Sequence, residues 1–211
     1  MYFRLLLSCS VLGAVHCLTS ESSSKDIDWA SLQCPSDNIT TLPTPTYGTK
    51  ERVFMICTEL FINAPPQKVY DTLIDFENYH RWNTFTIDVQ IPPNVQTPED
   101  DYVGMEMVFT TTGLLPGANT TSDEVLTVLD DDPSKRYLMN AWRSNTLFNG
   151  SLSRAEHPNI LTSAGRGRTR YVSYETYYLG LATPLIFAIR PQLQTQWDRQ
   201  GLDLKDFVEG L

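Results

Sequence analysis

Ile62-Asn63-Ala64-Pro65-Pro66-Gln67-Lys68-Val69-Tyr70-Asp71 is a strand that stops and a helix that starts within one short stretch. Paired prolines end an extended run because neither can donate to a ladder, and Pro near a first helical position costs no hydrogen bond. Val69, Tyr70, Leu73 and Ile74 then follow at helical spacing. Ahead of the break, Val53 to Ile62 (VFMICTELFI) is apolar, β-branched and aromatic enough for a strand covered along most of its length. Behind it, Asp75 can cap a second short helix, FENYHRW, that closes near Trp82.

From Phe85 onward the pattern changes to strands. Phe85–Ile91, Met105–Thr112, Glu124–Leu129, Tyr137–Arg143, Leu152–Leu161 and Thr169–Leu179 are short, β-rich and divided by Gly, Pro, Asn and Asp. The helical period returns at the C-terminus, where Ile186, Ile189, Leu193, Trp197, Leu204, Phe207, Val208 and Leu211 make one apolar stripe. Pro191 opens a new helix there or kinks the old one, and Gly201 weakens it by about 1 kcal/mol relative to Ala. The order is strand, two short helices, six strands, long helix, which is an α+β arrangement.

That order, with the words that punctuate it, resembles the SRPBCC superfamily, which includes START lipid carriers, birch-pollen-allergen-like proteins, coenzyme-Q-binding proteins and polyketide cyclases. The resemblance rests on Ile62 to Asp71, on Asp75, on Tyr79-His80-Arg81-Trp82-Asn83-Thr84-Phe85, on Gly167-x-Thr169-Arg170 entering the last strand, on Gly180 after it, and on Leu204-Lys205. Thr84 stands where the usual motif has Pro. It covers about Arg52 to Leu211 and implies a helix-grip fold: a curved antiparallel sheet of about seven strands around a long C-terminal helix, with a cavity between them. A sheet face and one amphipathic helix leave a space that side chains or a guest must fill.

The totals set bounds on this picture. The 211 residues suit one domain plus tails. A net charge of −9 argues against nucleic acid as a partner, since polyanion binding needs clustered Lys and Arg. Arg4 before Leu5–Val15 reads as a secretory signal over residues 1–17, too short to span a bilayer, and no later segment is long and apolar enough for stable membrane insertion. Residues 18–50, rich in Ser, Thr and Pro, read as an irregular extension, and the domain runs from 51 to 211. Once Cys9 and Cys17 leave with the signal, Cys34 and Cys57 remain. In an oxidising compartment they can bridge extension to domain, the alternative being a buried thiol at Cys57. Asn38, Asn119 and Asn149 are glycosylation acceptors that fit the same route.

Strand alternation sorts the candidate site residues without fixing which face points inward. Met107, Phe109, Tyr137, Trp142, Tyr174, Tyr178 and Trp197 are expected around the guest, because aromatic and thioether groups grip apolar molecules and Tyr hydroxyls add direction. His80, Tyr174 and Glu175 are the acid–base candidates. His157 is read as part of a turn before Pro158, and Glu106, Asp88 and Arg143 are possible inward charges. No nucleophile elbow, phosphate loop, dinucleotide fingerprint or metal-ligand spacing occurs. The partner that the resemblance implies is a lipophilic small molecule, and no cofactor and no metal are expected. The activity implied by the family is cofactor-independent cyclisation or isomerisation of a polyketide- or terpenoid-type metabolite; a carrier of lipid, sterol or quinone is the alternative, and a secreted protein acting through its surface a third.

Overall fold

A computed structural model describes residues 27–146, 150 and 152–210. The signal segment 1–17 and Asn149 lie outside the described residues. The elements run β1 (Arg52–Ile62), α1 (Pro66–Ile74), a 3-10 segment (Phe76–Arg81), β2 (Thr86–Gln90), β3 (Glu106–Leu115), β4 (Ala118–Asp130), β5 (Tyr137–Ser144), β6 (Ala155–Ser163), β7 (Thr169–Tyr178), α2 (Thr183–Ala188) and α3 (Arg190–Glu209). The seven strands form one antiparallel sheet in the order β1-β7-β6-β5-β4-β3-β2, so each strand from β2 to β7 lies beside its sequence neighbour and β1 closes onto β7. This is the helix-grip arrangement.

Local chemistry explains the joints. Pro65 caps α1 and Pro66 occupies its first turn, while Val69, Tyr70 and Leu73 turn into the core. Asp75 stands at the N-cap position of the next segment, where its carboxylate accepts two 3.0 Å bonds from the Asn78 side-chain amide instead of a backbone N–H, and the segment winds as 3-10 helix. Pro191 opens α3 after the chain leaves helical geometry at Ile189. Gly201 does more than weaken α3. A Cβ there would sit 2.7 Å from Thr58 Cγ2 and 3.0 Å from Leu60 Cδ2, so the missing side chain is what brings the helix down onto β1.

The two faces of the sheet have different covers. On the inner face, Phe54 and Ile56 of β1 join Leu193 and Trp197 of α3, and Ile62, Leu126 and Tyr171 join α1 and the 3-10 segment. The outer face is covered by the extension, which docks on it with a largely irregular backbone. Trp29 and Leu42 are buried against Met55, Met139, Ile160, Val172 and Tyr174. Cys34 and Cys57 form a disulfide across this layer, with Cα atoms 5.7 Å apart.

Candidate functional site

Between the sheet and the helices lies a cavity of about 350 Å³. Most of its lining is apolar: Phe85, Phe109 and Trp142 on the sheet side, Ile186, Leu193 and Trp197 on the helix side. The wall also carries polar groups, with several Ser and Thr hydroxyls and Gln200 among them. Of these groups β4 contributes Glu124 and Ser122, β7 contributes Glu175 and Tyr177, and β6 contributes His157. A volume of this order, mostly apolar with a few convergent polar groups, is that of a small-molecule site.

Strand alternation places these groups. Ser173, Glu175 and Tyr177 share the inward face of β7, and Val172, Tyr174, Thr176 and Tyr178 the outward one. Tyr177 donates its hydroxyl to Glu175 Oε2. Burial pushes the Glu175 carboxyl up to about 7, opposed by that donated bond. Glu124 is only 7 % exposed, and burial, then the neighbouring Glu175 charge, push it up to about 8. Its Oε2 has no hydrogen-bond partner among the described residues, and neither has the indole N–H of Trp197.

His157, 2 % exposed, lies between two indoles, 4.3 Å from the ring centres of both Trp142 and Trp197, with Nε2 2.8 Å from Ser173 Oγ. Burial drives its pKa down to about 3, so the imidazole is neutral at any physiological pH. It is a hydrogen-bonding and packing group.

Of the residues expected from sequence, Phe109, Trp142, Trp197 and Glu175 stand on the cavity wall. Met107 is inward but packs in the core cluster with Phe76, Tyr79 and Leu126, off the wall of this cavity. Tyr174 and Tyr178 are corrections: they point outward and donate to Pro43 O and Gly48 O of the extension, so neither can line the site or act in it. Tyr137 also faces outward, against the same outer cluster. His80 is exposed, its Nδ1 3.0 Å from Glu77 O, and does not reach the cavity. Asn38 and Asn119 are exposed. Glu124, His157 and Tyr177 also stand on the wall, beyond the residues expected there. Tyr177 alternates with Tyr174 and Tyr178, and the cavity lies on its side of β7; His157 and Pro158 lie inside β6 and not in a turn. Among the described residues no group of acidic, His or Cys side chains has the makings of a metal site, and no helix is long and apolar enough to cross a membrane.

Comparison with known proteins agrees with this architecture. Solved structures with the same fold include a Helicobacter pylori protein (TM-score 0.63, 13% identity, covering 84% of this chain and 99% of that one) and a Thermus thermophilus protein (0.57, 19%, 74% and 97%). A third is the Zhui aromatase/cyclase of a Streptomyces species (0.50, 16%, 74% and 91%). No curated protein matches the chain by sequence. Residues 56–184 match the family model described as polyketide cyclase / dehydrase and lipid transport, and the chain belongs to that family, within the START/SRPBCC fold.

Proposed function

We propose that the protein binds a lipophilic small molecule between sheet and α3 and promotes its cyclisation or isomerisation without a cofactor. The observation that carries this reading is the pair of buried carboxyls in a mostly apolar cavity, Glu124 near 8 and Glu175 near 7. Two titratable groups whose environments separate them are suited to divided acid and base roles. Near neutrality Glu124 holds its proton and Glu175 is partly ionised. With a carbonyl guest, Glu175 takes a proton from the adjacent carbon while Glu124 gives one to the carbonyl oxygen. The C–H electron pair becomes the enol double bond, and the carbonyl π pair becomes the new O–H bond. Proton return at another carbon completes an isomerisation, and attack of the enol on a second carbonyl of the same guest closes a ring. The apolar wall holds a flexible chain near the reacting shape and excludes water.

The family's inclusion of lipid transport favours the carrier reading as the second one. Purified protein, analysed by native mass spectrometry for retained guest and then incubated with that guest or its precursor, separates the two. Turnover beyond one equivalent that falls at least about a hundredfold in Glu175→Gln is expected, in line with general base catalysis; stoichiometric recovery of unchanged guest leaves only the carrier. If the protein retains nothing and takes up no neutral apolar dye, both readings fail. We also propose residence in the secretory pathway, supported by the leader-like residues 1–17, the Cys34–Cys57 bond and the exposed acceptors Asn38 and Asn119.

A further inference from the structure

The charge inventory of the cavity is one-sided. Among the described residues its walls carry Glu124 and Glu175, one neutral imidazole and one phenol, and no Lys or Arg. Each element packed around Glu124 points the same way. Glu175 and Tyr177 face it from β7, His157 comes from β6, and Asp123 is beside it on β4. The helices offer Ala182, Ile186, Ile189, Leu193, Trp197 and Gln200, none charged. The cation whose field reaches Glu124 is Arg143, which alternates away from its cavity-lining neighbours Trp142 and Ser144; its guanidinium donates to Ser144 O and Asn145 Oδ1.

The same cavity wall carries Phe85, Phe109, Trp142, Tyr177 and Trp197. Aromatic faces attract a desolvated cation through their quadrupoles, most strongly for indole. An anionic guest would meet two buried acids and no counter-charge, a costly arrangement in a low dielectric. A neutral apolar guest would leave Glu124 Oε2 without its partner. An alkylammonium meets both needs at once: carboxylate for its N–H groups and π faces for its charge.

We infer that the cavity selects guests bearing a basic nitrogen, an aryl-alkylamine rather than the matching alcohol or acid, held by Glu124 and Glu175 against the Trp142–Trp197 wall. This inference rests on the cavity-binding reading above and names its substrate class. One ammonium compensates one carboxylate, so the pair retains a second proton for the proposed chemistry. Because a bound cation favours the ionised carboxyl, binding near pH 7 releases protons to solvent.

The test uses the full-length protein, neutral phenylnaphthylamine as fluorescent reporter, and three competitors on one ring system: naphthylethylamine, naphthylethanol and naphthylacetate. The amine is expected to displace the dye at about tenfold lower concentration than the alcohol, with the acid weakest, the increment a desolvated cation–π and ion-pair contact gives. In Glu124→Gln and Glu175→Gln the ratio of amine to alcohol affinity falls toward one. If those variants do not fold, calorimetry of the wild type in buffers of different ionisation enthalpy serves instead, with proton release expected for amine and none for alcohol. Equal displacement by amine and alcohol, preference for the acid, or amine binding without proton release overturns the inference and leaves the cavity reading standing. Failure of the dye itself to bind overturns both.

Discussion

The strand β7 carries two molecules' worth of contrast on its two faces. Outward, Tyr174, Thr176 and Tyr178 each donate to a carbonyl of the extension, at Pro43, Leu42 and Gly48. Glu156 of β6, buried in the same layer, accepts from the Thr46 amide, the Thr46 hydroxyl and the Thr127 hydroxyl. Inward, Glu175 has Tyr177 as its partner, and across the cavity Glu124 keeps an oxygen with none. Both faces bury carboxyl groups. What differs is saturation: the outer layer spends its polar groups on holding the extension, whereas the inner wall keeps some for a guest. A buried acid with three donors is a structural joint, and one held up by desolvation is a functional candidate.

The largest effect that would sharpen this contrast is the pH dependence of stability. Glu124 and Glu175 start from 4.5 in the unfolded chain and stand at about 8 and about 7 when folded. Between these values the folded state holds protons that the unfolded state has lost, so stability falls as pH rises from 4.5 toward 8. His157 works the other way. Its pKa drops from 6.5 to about 3, so the unfolded state binds more protons over that interval, and stability falls as pH drops through it. The two terms oppose each other between 4.5 and 6.5, placing the optimum on the acid side of neutrality. The alkaline loss is on the order of several kcal/mol at one pKa unit per 1.36 kcal/mol. Urea midpoints at half-unit pH steps should show it, and Glu124→Gln should flatten the alkaline limb; a flat profile in the parent protein would mean the inner carboxyls are solvated and the two faces alike.

The next effect in size belongs to the outer layer. The Cys34–Cys57 bridge closes a loop with a sequence separation of 23, for which the chain-entropy account gives about 3 kcal/mol. Reduction, or the Cys34→Ser/Cys57→Ser double variant, should lower the unfolding free energy by about that amount while the dye-binding capacity of the inner cavity persists. Loss of dye binding at temperatures where the domain stays folded would show that the two faces are coupled.

How much of this could be read beforehand follows from the same contrast. The fold was legible because it depends on period and punctuation: Pro65-Pro66 fixes the start of α1, and the alternating strands and the stripe from Ile186 to Val208 fix the rest. The site was half legible. Residue type points to Phe109, Trp142, Trp197 and Glu175, but it does not separate the outward Tyr174 and Tyr178 from them, since period two says which residues share a face and not which face is covered by what. Both faces of β7 are rich in buried aromatic residues here, because the extension supplies a second cover that composition alone makes look like an irregular tail. Glu124 carried no local signal at all; its raised pKa depends on burial and on Glu175 coming near it, long-range facts.

The smallest expected effect compares single edits on the two sides. Tyr174→Phe removes an outward hydroxyl and leaves the Pro43 carbonyl without its donor, which should cost about 1 kcal/mol and leave dye binding as it was. Ala155 lies on the cavity wall, on the inward face of β6. In a filled core, Ala155→Leu would force neighbours aside at about 1–3 kcal/mol. Against open space the added methylenes enter the cavity, so the cost should stay within about 0.5 kcal/mol, as for an unconstrained site, while the space for guest shrinks and dye affinity drops. Chemical denaturation and dye titration of both variants decide it. The outer edit should move stability alone and the inner edit binding alone, and an Ala155→Leu penalty as large as that of an overfilled core would mean that the interior is packed and holds no room for a guest.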